Sequence, residues 1–158
     1  MRNAKGRYCG FALSSHGLPA LPDTLVETSP LYQEGVSMPT INYTRTLITT
    51  AATLVEWTNL ANGDDGQWYQ TGAGWAERSI DPTGDFGGGT LTIQGTNELL
   101  TPAASPPTLN DPQGNPLTFV SRRLETILET SAQIRPILAG GAAGAVTVRM
   151  LIMGRPQS

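Results

Sequence analysis

Five carboxylates that are close together in the sequence form the densest group of side chains that could do chemistry. They are Asp64, Asp65, Glu77, Asp81 and Asp85. Carboxylate oxygens are the ligands that calcium prefers, and a pair of carboxylates is the usual machinery of glycoside hydrolysis. The spacing does not match the EF-hand loop, however. Aspartate is also common in turns, where it tolerates unusual backbone angles, and we prefer this second interpretation.

The other reactive side chains of the sequence are isolated from one another. His16 is the single histidine, and although Ser14 and Ser15 precede it, a catalytic triad needs a base and an orienting group that converge in space. Cys9 is the single cysteine, which excludes an internal disulfide framework and a multi-cysteine metal site. The glycine-rich segment 84–90 resembles a phosphate loop, but no Gly-Lys-Ser/Thr follows it. We therefore predict no catalytic, cofactor-binding or metal-binding residue, no cofactor and no enzymatic activity.

Four aromatic side chains are also clustered in the sequence: Trp57, Trp68, Tyr69 and Trp75. Aromatic rings could form a platform on which a sugar stacks. Residues of this kind more often belong to a sandwich core or to a subunit interface, and this is the interpretation that we prefer.

The elements that must position these residues are predicted to be strands. Residues 41–58 are rich in threonine and β-branched side chains, which favour a pleated, half-buried surface, and Val55 and Trp57 would share one face of it. The segment Ala145–Met153 has the longest apolar alternation and predicts a central strand. Prolines limit the remaining strands, because a proline cannot donate to a ladder.

Two predicted strands contain or meet such a proline. A strand over residues 75–80 should stop at Pro82. A strand over residues 134–139 contains Pro136 and should therefore lie near a sheet edge.

One short helix and one long loop complete the predicted domain. The helix is predicted over residues 121–129, because three apolar residues there follow helical spacing: Leu124, Ile127 and Leu128. Residues 99–116 contain five prolines and predict a loop with a turn at 111–115. A loop of this length is usually functional or bound to a partner.

The first forty residues form a predicted extended N-terminal arm, residues 1–40. They carry four prolines and no hydrophobic period, so they cannot bury enough apolar surface to offset their ordering entropy. We expect such an arm to become ordered on partner chains. The alternative is an arm that packs back on its own domain.

Composition and pattern together predict an all-β protein with a β-sandwich domain over residues 41–158. Charged residues make up 15% of the 158 residues, well below the usual quarter, and Gly and Pro are plentiful. Several short strands separated by turns favour a sandwich, and a jelly roll is the version that we prefer.

Net charge and hydropathy exclude two classes of partner. The net charge is −3 and no basic run occurs, which argues against nucleic-acid binding. No run of eighteen apolar residues exists, so no membrane span is predicted.

Several turn and core segments together resemble one family. They are Trp57–Gly66, Ala76–Ile80, Gly84–Gly88, Leu91–Asn97, Asp111–Asn115, Ile134–Pro136 and Gly140–Gly141. Their order is similar to that of small structural proteins encoded among the head genes of tailed bacteriophages, whose members with an assigned role are head decoration or cement proteins. The resemblance covers residues 53–155 and brings no catalytic residue with it. The arm and the proline-rich insertion over residues 99–110 lie outside the shared pattern.

The resemblance implies a virion structural protein, a capsid decoration subunit that binds the outer capsid surface and stabilises the head. Its expected partners are the major capsid protein and copies of itself, as a dimer or trimer, with no nucleic acid and no membrane. Its expected location is the capsid exterior, after assembly in the host cytoplasm. The alternatives are another phage structural subunit, such as a tail tube, collar or fibre-attachment protein, and a carbohydrate-binding module or glycan hydrolase.

Overall fold

A computed structural model describes residues 39–72, 76–99 and 105–154, and every regular element within these ranges is a β-strand. The strands are β1 (Thr40–Ile41), β2 (Tyr43–Thr49), β3 (Ala52–Leu60), β4 (Asp65–Gly66), β5 (Tyr69–Gln70), β6 (Ala76–Asp85), β7 (Thr90–Thr96), β8 (Thr118–Phe119), β9 (Glu125–Thr126), β10 (Gln133–Ala139) and β11 (Ala145–Gly154). The predicted all-β class is confirmed. The predicted extended arm lies outside the described residues, except for Pro39 and Thr40.

The strands form two sheets with nested pairing. The first sheet has the order β1-β4-β10-β7-β8, with β5 also paired to β10, and the second has the order β2-β3-β11-β6-β9. β3 pairs with β11, β4 with β10, β6 with β9 and β7 with β8, all antiparallel. The chain therefore resembles one long hairpin folded across two sheets, as in a jelly roll, and the predicted β-sandwich is observed.

The inner faces of both sheets meet in one apolar core. Trp57 on β3 and the pair Val148 and Met150 on β11 are fully buried, and they share one cluster with Ile93 on β7 and Ile134 on β10. The inward face predicted for β3 is thus correct. The sandwich closes over its own apolar side chains, so its interior is a packed core.

β11 is the central strand of the second sheet, as its alternation predicts. It pairs with β3 on one side and with β6 along all ten of its residues on the other. Val146, Val148 and Met150 are completely buried, whereas Arg149 on the opposite face is exposed. The local alternation predicts the buried face of β11 correctly because its two neighbours, β3 and β6, contribute apolar side chains to the same face.

The helix predicted over residues 121–129 is wrong. Part of that segment forms β9, which pairs with β6 at the edge of the second sheet, and the described residues contain no helix. Ile127 is buried, but Leu124 and Leu128 are 68% and 55% exposed, so their helical spacing does not mark a buried face. Pairing with a strand about 45 residues earlier in the chain outweighs a weak local preference.

The strand stop predicted at Pro82 is also wrong. β6 continues through Pro82, which pairs with Val148 on β11. On the other side of β6, β9 covers only Ser79 and Ile80. The sheet is therefore open beside Pro82, and an open edge tolerates a residue that cannot donate.

Pro136 lies inside an interior strand rather than near a sheet edge. β10 pairs with β7 along its whole length. On its other side β4 pairs at Ile137, and β5 pairs at Gln133 and Ile134. Pro136 falls in the gap between these two short strands, which explains how a proline is accommodated where the edge prediction fails.

The described part of the long loop packs on its own domain. Residues 105–116 run beside β7, where the buried Leu109 donates its N–H to the carbonyl of Ile93 at 2.9 Å. The turn predicted at 111–115 is present. Residues 107–109 thus extend the first sheet, whereas residues 112–116 are exposed and residues 100–104 lie outside the described ranges.

Candidate interaction surface

Three of the four sheet edges end in very short strands. β1 and β8 border the first sheet and β9 borders one side of the second, and each has two residues. β2, which borders the other side of the second sheet, has seven. Natural proteins shorten or cover edge strands because their unpaired N–H and C=O groups pair readily with another chain. Among the described residues β2 is the longest strand that borders a sheet, and this β2 edge, residues 43–49, is the candidate surface.

The side chains of the β2 edge are exposed as well as its backbone. Every residue from Thr44 to Thr49 is exposed, and the aliphatic side chains of Leu47 and Ile48 are 64% and 54% exposed. Proline, lysine and carboxylates, which discourage edge pairing, are missing from β2. The features of β2 that do discourage edge pairing are the charge of Arg45 and the irregular register between Leu47 and Thr49. The first five residues of β2, Tyr43–Leu47, keep a regular register with β3.

β2 overhangs a cleft at one end of the sandwich. Its first residue, Tyr43, packs edge-on against Trp57 and Tyr69, with ring centroids 6.0 and 5.3 Å apart, so the start of β2 is held by the core. Farther along β2, Arg45 lines a cleft of about 610 Å³. Side chains on the cleft walls include Arg45, Thr53, Tyr69, Gln70, Thr71 and Ile152. The described walls offer hydrogen bonds and a positive charge but no carboxylate, imidazole or thiol, which suits binding better than proton transfer.

Charges on the outer face of the second sheet compensate one another, whereas Arg45 lies on the opposite face, in register with the buried Val55. Arg149 on β11 is paired in register with Glu56 on β3 and Asp81 on β6, and its guanidinium binds the Glu56 carboxylate. Asp81 accepts two hydrogen bonds from Arg122, at 3.0 and 3.1 Å, and these raise the pKa of Arg122. No described carboxylate lies within salt-bridge distance of Arg45.

The five neighbouring carboxylates do not converge on a site. Four of them bind separate partners: Asp64 the N–H of Ala61, Asp85 the N–H of Gly87, Asp65 the guanidinium of Arg135, and Asp81 that of Arg122. Glu77 is exposed on β6. In the part of the chain that the structure describes, no three His, Cys, Asp or Glu side chains are placed to hold a metal ion. Asp64 and Asp85 thus agree with the turn interpretation, whereas Asp65, Glu77 and Asp81 lie in β4 and β6.

The aromatic cluster belongs mainly to the core. Trp57 is fully buried and donates its indole N–H to a backbone carbonyl at 2.9 Å, and Tyr69 is also buried. Trp68 is half-buried, and the guanidinium of Arg135 lies 4.6 Å from the centroid of its ring. A buried ring cannot stack on a sugar, so these three residues do not form the alternative platform. Trp75 lies outside the described residues.

The glycine-rich segment 84–90 makes the bend between β6 and β7. Gly87 and Gly88 have φ values of +57° and +75°, which glycine adopts at little cost. A strand follows, as predicted, and no helix N-terminus is available there for a phosphate. His16 and Cys9 lie outside the described residues.

One buried cation is not anticipated from the sequence. Arg78 is 4% exposed on the inward face of β6, where it donates to the Glu129 carbonyl at 3.4 Å. Its Nε has no hydrogen-bond partner among the described residues. Burial lowers the pKa of this guanidinium, and Tyr69 acts in the opposite direction. Arg78 pairs with Ile152, which lines the cleft, so this cation is close to the same end of the sandwich as the β2 edge.

The β2 edge is the feature that the sequence analysis misses. The threonine-rich composition of residues 41–58 groups β2 with β3 as one half-buried region. A signal was available, because Thr44–Thr49 lacks the apolar alternation that marks the buried face of β3. A strand without an apolar face is expected at an edge or beyond the core.

No protein-family model matches the sequence, and no curated protein matches it. The chain is similar to a solved structure described as the crystal structure of a cupin domain from Bordetella pertussis Tohama I, with a TM-score of 0.43 and 12% sequence identity. The similarity covers 76% of this chain and 100% of that one. At this TM-score the similarity carries no argument about function. The described residues include no helix that is long and apolar enough to cross a membrane.

Proposed function

We propose that this protein is a virion structural subunit, a capsid decoration (cement) protein that binds the outside of a bacteriophage head. The resemblance of its turn and core segments to head decoration proteins supports this assignment. The structural observation that carries it is the β2 edge, an open strand of seven residues in a domain whose other edges have two. Such an edge suits a protein whose work is adhesion.

In this proposal the β2 edge is the adhesive element. An open strand binds an extended segment through main-chain hydrogen bonds, and its alternate side chains supply specificity. Burial of Leu47 and Ile48 would add about 1.5–3 kcal/mol for each side chain that is fully covered. Since many copies bind one particle, and each is expected to contact both the major capsid protein and other copies, weak contacts would add up through avidity. The result would be a shell that better resists the pressure of the packaged genome.

The test is a binding experiment with particles that lack this protein. Purified protein is added to such particles, unbound protein is removed, and the bound amount is measured by quantitative mass spectrometry against the major capsid protein. A particle map then locates it. A decoration protein is expected on the shell exterior in fixed stoichiometry to the major capsid protein. A few copies at the neck or tail would instead indicate another virion part, and no binding would remove the assignment.

Matched variants test the role of the β2 edge in this binding. Leu47→Lys places a charge on the open edge, which discourages strand pairing, and is expected to weaken binding at least tenfold. Leu124→Lys makes the same change at a similarly exposed residue in the segment between β8 and β9 and is expected to bind as the natural protein does. Equal losses for both variants would mean that the β2 edge is not the contact.

A further inference from the structure

The register of the second sheet connects the buried cation Arg78 to the cleft. Ile152 on β11 pairs with Thr53 on β3 on one side and with Arg78 on β6 on the other. Thr53 and Ile152 both line the cleft, and neighbouring strands of a sheet lie about 4.8 Å apart. The backbone of Arg78 is therefore one strand away from a wall of the cleft.

Arg78 has no anionic partner among the described residues. It is 4% exposed, and no described carboxylate lies within salt-bridge distance of it. Glu77, the preceding residue, is exposed on β6, and the Glu129 carboxylate instead accepts hydrogen bonds of 2.6 and 2.8 Å from Asn110. A buried charge is costly unless it is paired, so an anion close to Arg78 would offset this cost.

A second cation, Arg45, lines the cleft itself from β2. β2 and β6 lie on opposite sides of the β3–β11 pair, so the two guanidinium groups approach the cleft region from two sides. A guanidinium binds a carboxylate through two parallel hydrogen bonds. An anion in the cleft would contact Arg45 directly and would also be attracted by Arg78, since the protein interior screens charge less than water does.

The other walls of the cleft determine which kind of anion fits. Thr53, Gln70 and Thr71 offer hydroxyl and amide groups, whereas Tyr69 and Ile152 offer apolar surface. The volume of about 610 Å³ is within the range of sites for small organic ligands, roughly 300–1,000 Å³. The cleft is larger than a simple inorganic anion needs, and its polar walls suit a ligand with several hydroxyl groups.

We infer that the cleft binds a small hydroxylated carboxylate, such as an acidic sugar, through an ion pair with Arg45. The ligand hydroxyls bind the threonine and glutamine side chains of the walls. Arg78 strengthens the attraction from beyond the Ile152 wall. The inference does not depend on whether the protein decorates a capsid, so either proposal can fail without the other.

Titration calorimetry of the full chain with sodium glucuronate tests this site, at an ionic strength held constant with sodium chloride. Glucose carries a hydroxymethyl group in place of the carboxylate and is expected to bind at least about tenfold more weakly, because it cannot form the ion pair. Sodium phosphate has the charge but not the ring hydroxyls, and it too should bind more weakly than glucuronate. Undetectable glucuronate binding, or equal affinity for glucose or phosphate, overturns the inference.

Matched variants locate the binding in the cleft. Arg45→Gln removes the ion pair and should weaken glucuronate binding about tenfold or more. Thr53→Val removes one wall hydroxyl at nearly constant shape and should weaken it about threefold. Arg149→Gln neutralises an arginine on the opposite face of the same sheet and should bind glucuronate as the natural protein does. Equal losses for Arg45→Gln and Arg149→Gln would indicate general charge attraction and would overturn the site.

Arg78→Met tests the contribution of the buried cation. An apolar side chain of similar length in place of a buried charge often preserves folding, and circular dichroism checks this for the variant. Folded Arg78→Met should bind glucuronate about threefold or more weakly, with unchanged affinity for glucose. Natural glucuronate affinity in the folded variant contradicts the role of Arg78. If the variant does not fold, the results for Arg45→Gln and Thr53→Val decide whether the site exists.

Discussion

Replacing Gly66 by alanine should destabilise the domain, because the space beside this residue is already filled. Gly66 lies on β4, where an added Cβ would come within 2.5 Å of the Pro136 Cδ and 2.9 Å of the Trp57 Cδ1. Neither neighbour moves easily. The Pro136 ring is part of the β10 backbone, and the Trp57 indole is held by its hydrogen bond to the Gln67 carbonyl.

The expected magnitude for Gly66→Ala follows from three opposing effects. Overpacking a filled site costs about 1–3 kcal/mol. Loosening the Trp57 hydrogen bond adds about 0.5–1.5 kcal/mol. Alanine also lowers the conformational entropy of the unfolded chain relative to glycine, which stabilises the folded protein by about 0.4–1 kcal/mol. The free energy of unfolding should therefore fall by about 2 kcal/mol, which lowers the melting temperature by roughly 8 °C for a domain of this size.

Urea unfolding followed by tryptophan fluorescence measures this change, with Gly154→Ala as the control. The nearest atom to a Cβ at Gly154 is 3.8 Å away, an ordinary contact, so the control should remain within about 0.5 kcal/mol of the natural protein. Since Trp57 packs against Tyr43 at the start of β2, Gly66→Ala should also weaken binding through the β2 edge. A Gly66→Ala variant that melts within about 2 °C of the natural protein would refute the packing argument.

Three further predictions concern the core, acid sensitivity and metals. Val148→Asp buries an unpaired charge at a cost of several kcal/mol and should abolish the folded circular dichroism spectrum, whereas Arg149→Ala, which loses one exposed ion pair, should remain folded. Hydrogen bonds from Asn115 lower the pKa of Asp111, so its contribution to stability is present above the ordinary value of about 3.9 and is lost as the pH falls through the lower folded value. The melting-temperature difference between the natural protein and Asp111→Asn should shrink over that acid range. A chelator should leave the melting temperature unchanged, and a drop of several degrees would reveal an ion site.

The elements that could be predicted from the sequence are those decided by local alternation. Val55 and Trp57 in β3 and the apolar face of β11 follow a period of two, and that period determines which side of a strand is buried wherever the strand pairs. The turn at 111–115 is similarly local, because the side chain of Asp111 binds backbone N–H groups of its own turn.

The elements that could not be predicted depend on distant pairing partners. Ile127 and its neighbours have helical spacing, yet β9 forms because β6 offers an unpaired edge. Pro82 does not stop β6 because the neighbouring strand β9 is too short to need a donor from it. The candidate surface is missed for a different reason: the missing apolar alternation of Thr44–Thr49 does indicate an edge strand, but the threonine-rich composition that it shares with β3 groups the two strands together.

The pattern of edge lengths connects the fold to its proposed adhesive role. A domain that acts alone gains nothing from a seven-residue open strand with exposed Leu47 and Ile48, since such an edge favours uncontrolled association. Selection for a soluble monomer would shorten or charge it, as β1, β8 and β9 are shortened. An edge that stays long, neutral apart from Arg45, and fixed to the core through Tyr43 is better explained by a regular partner strand.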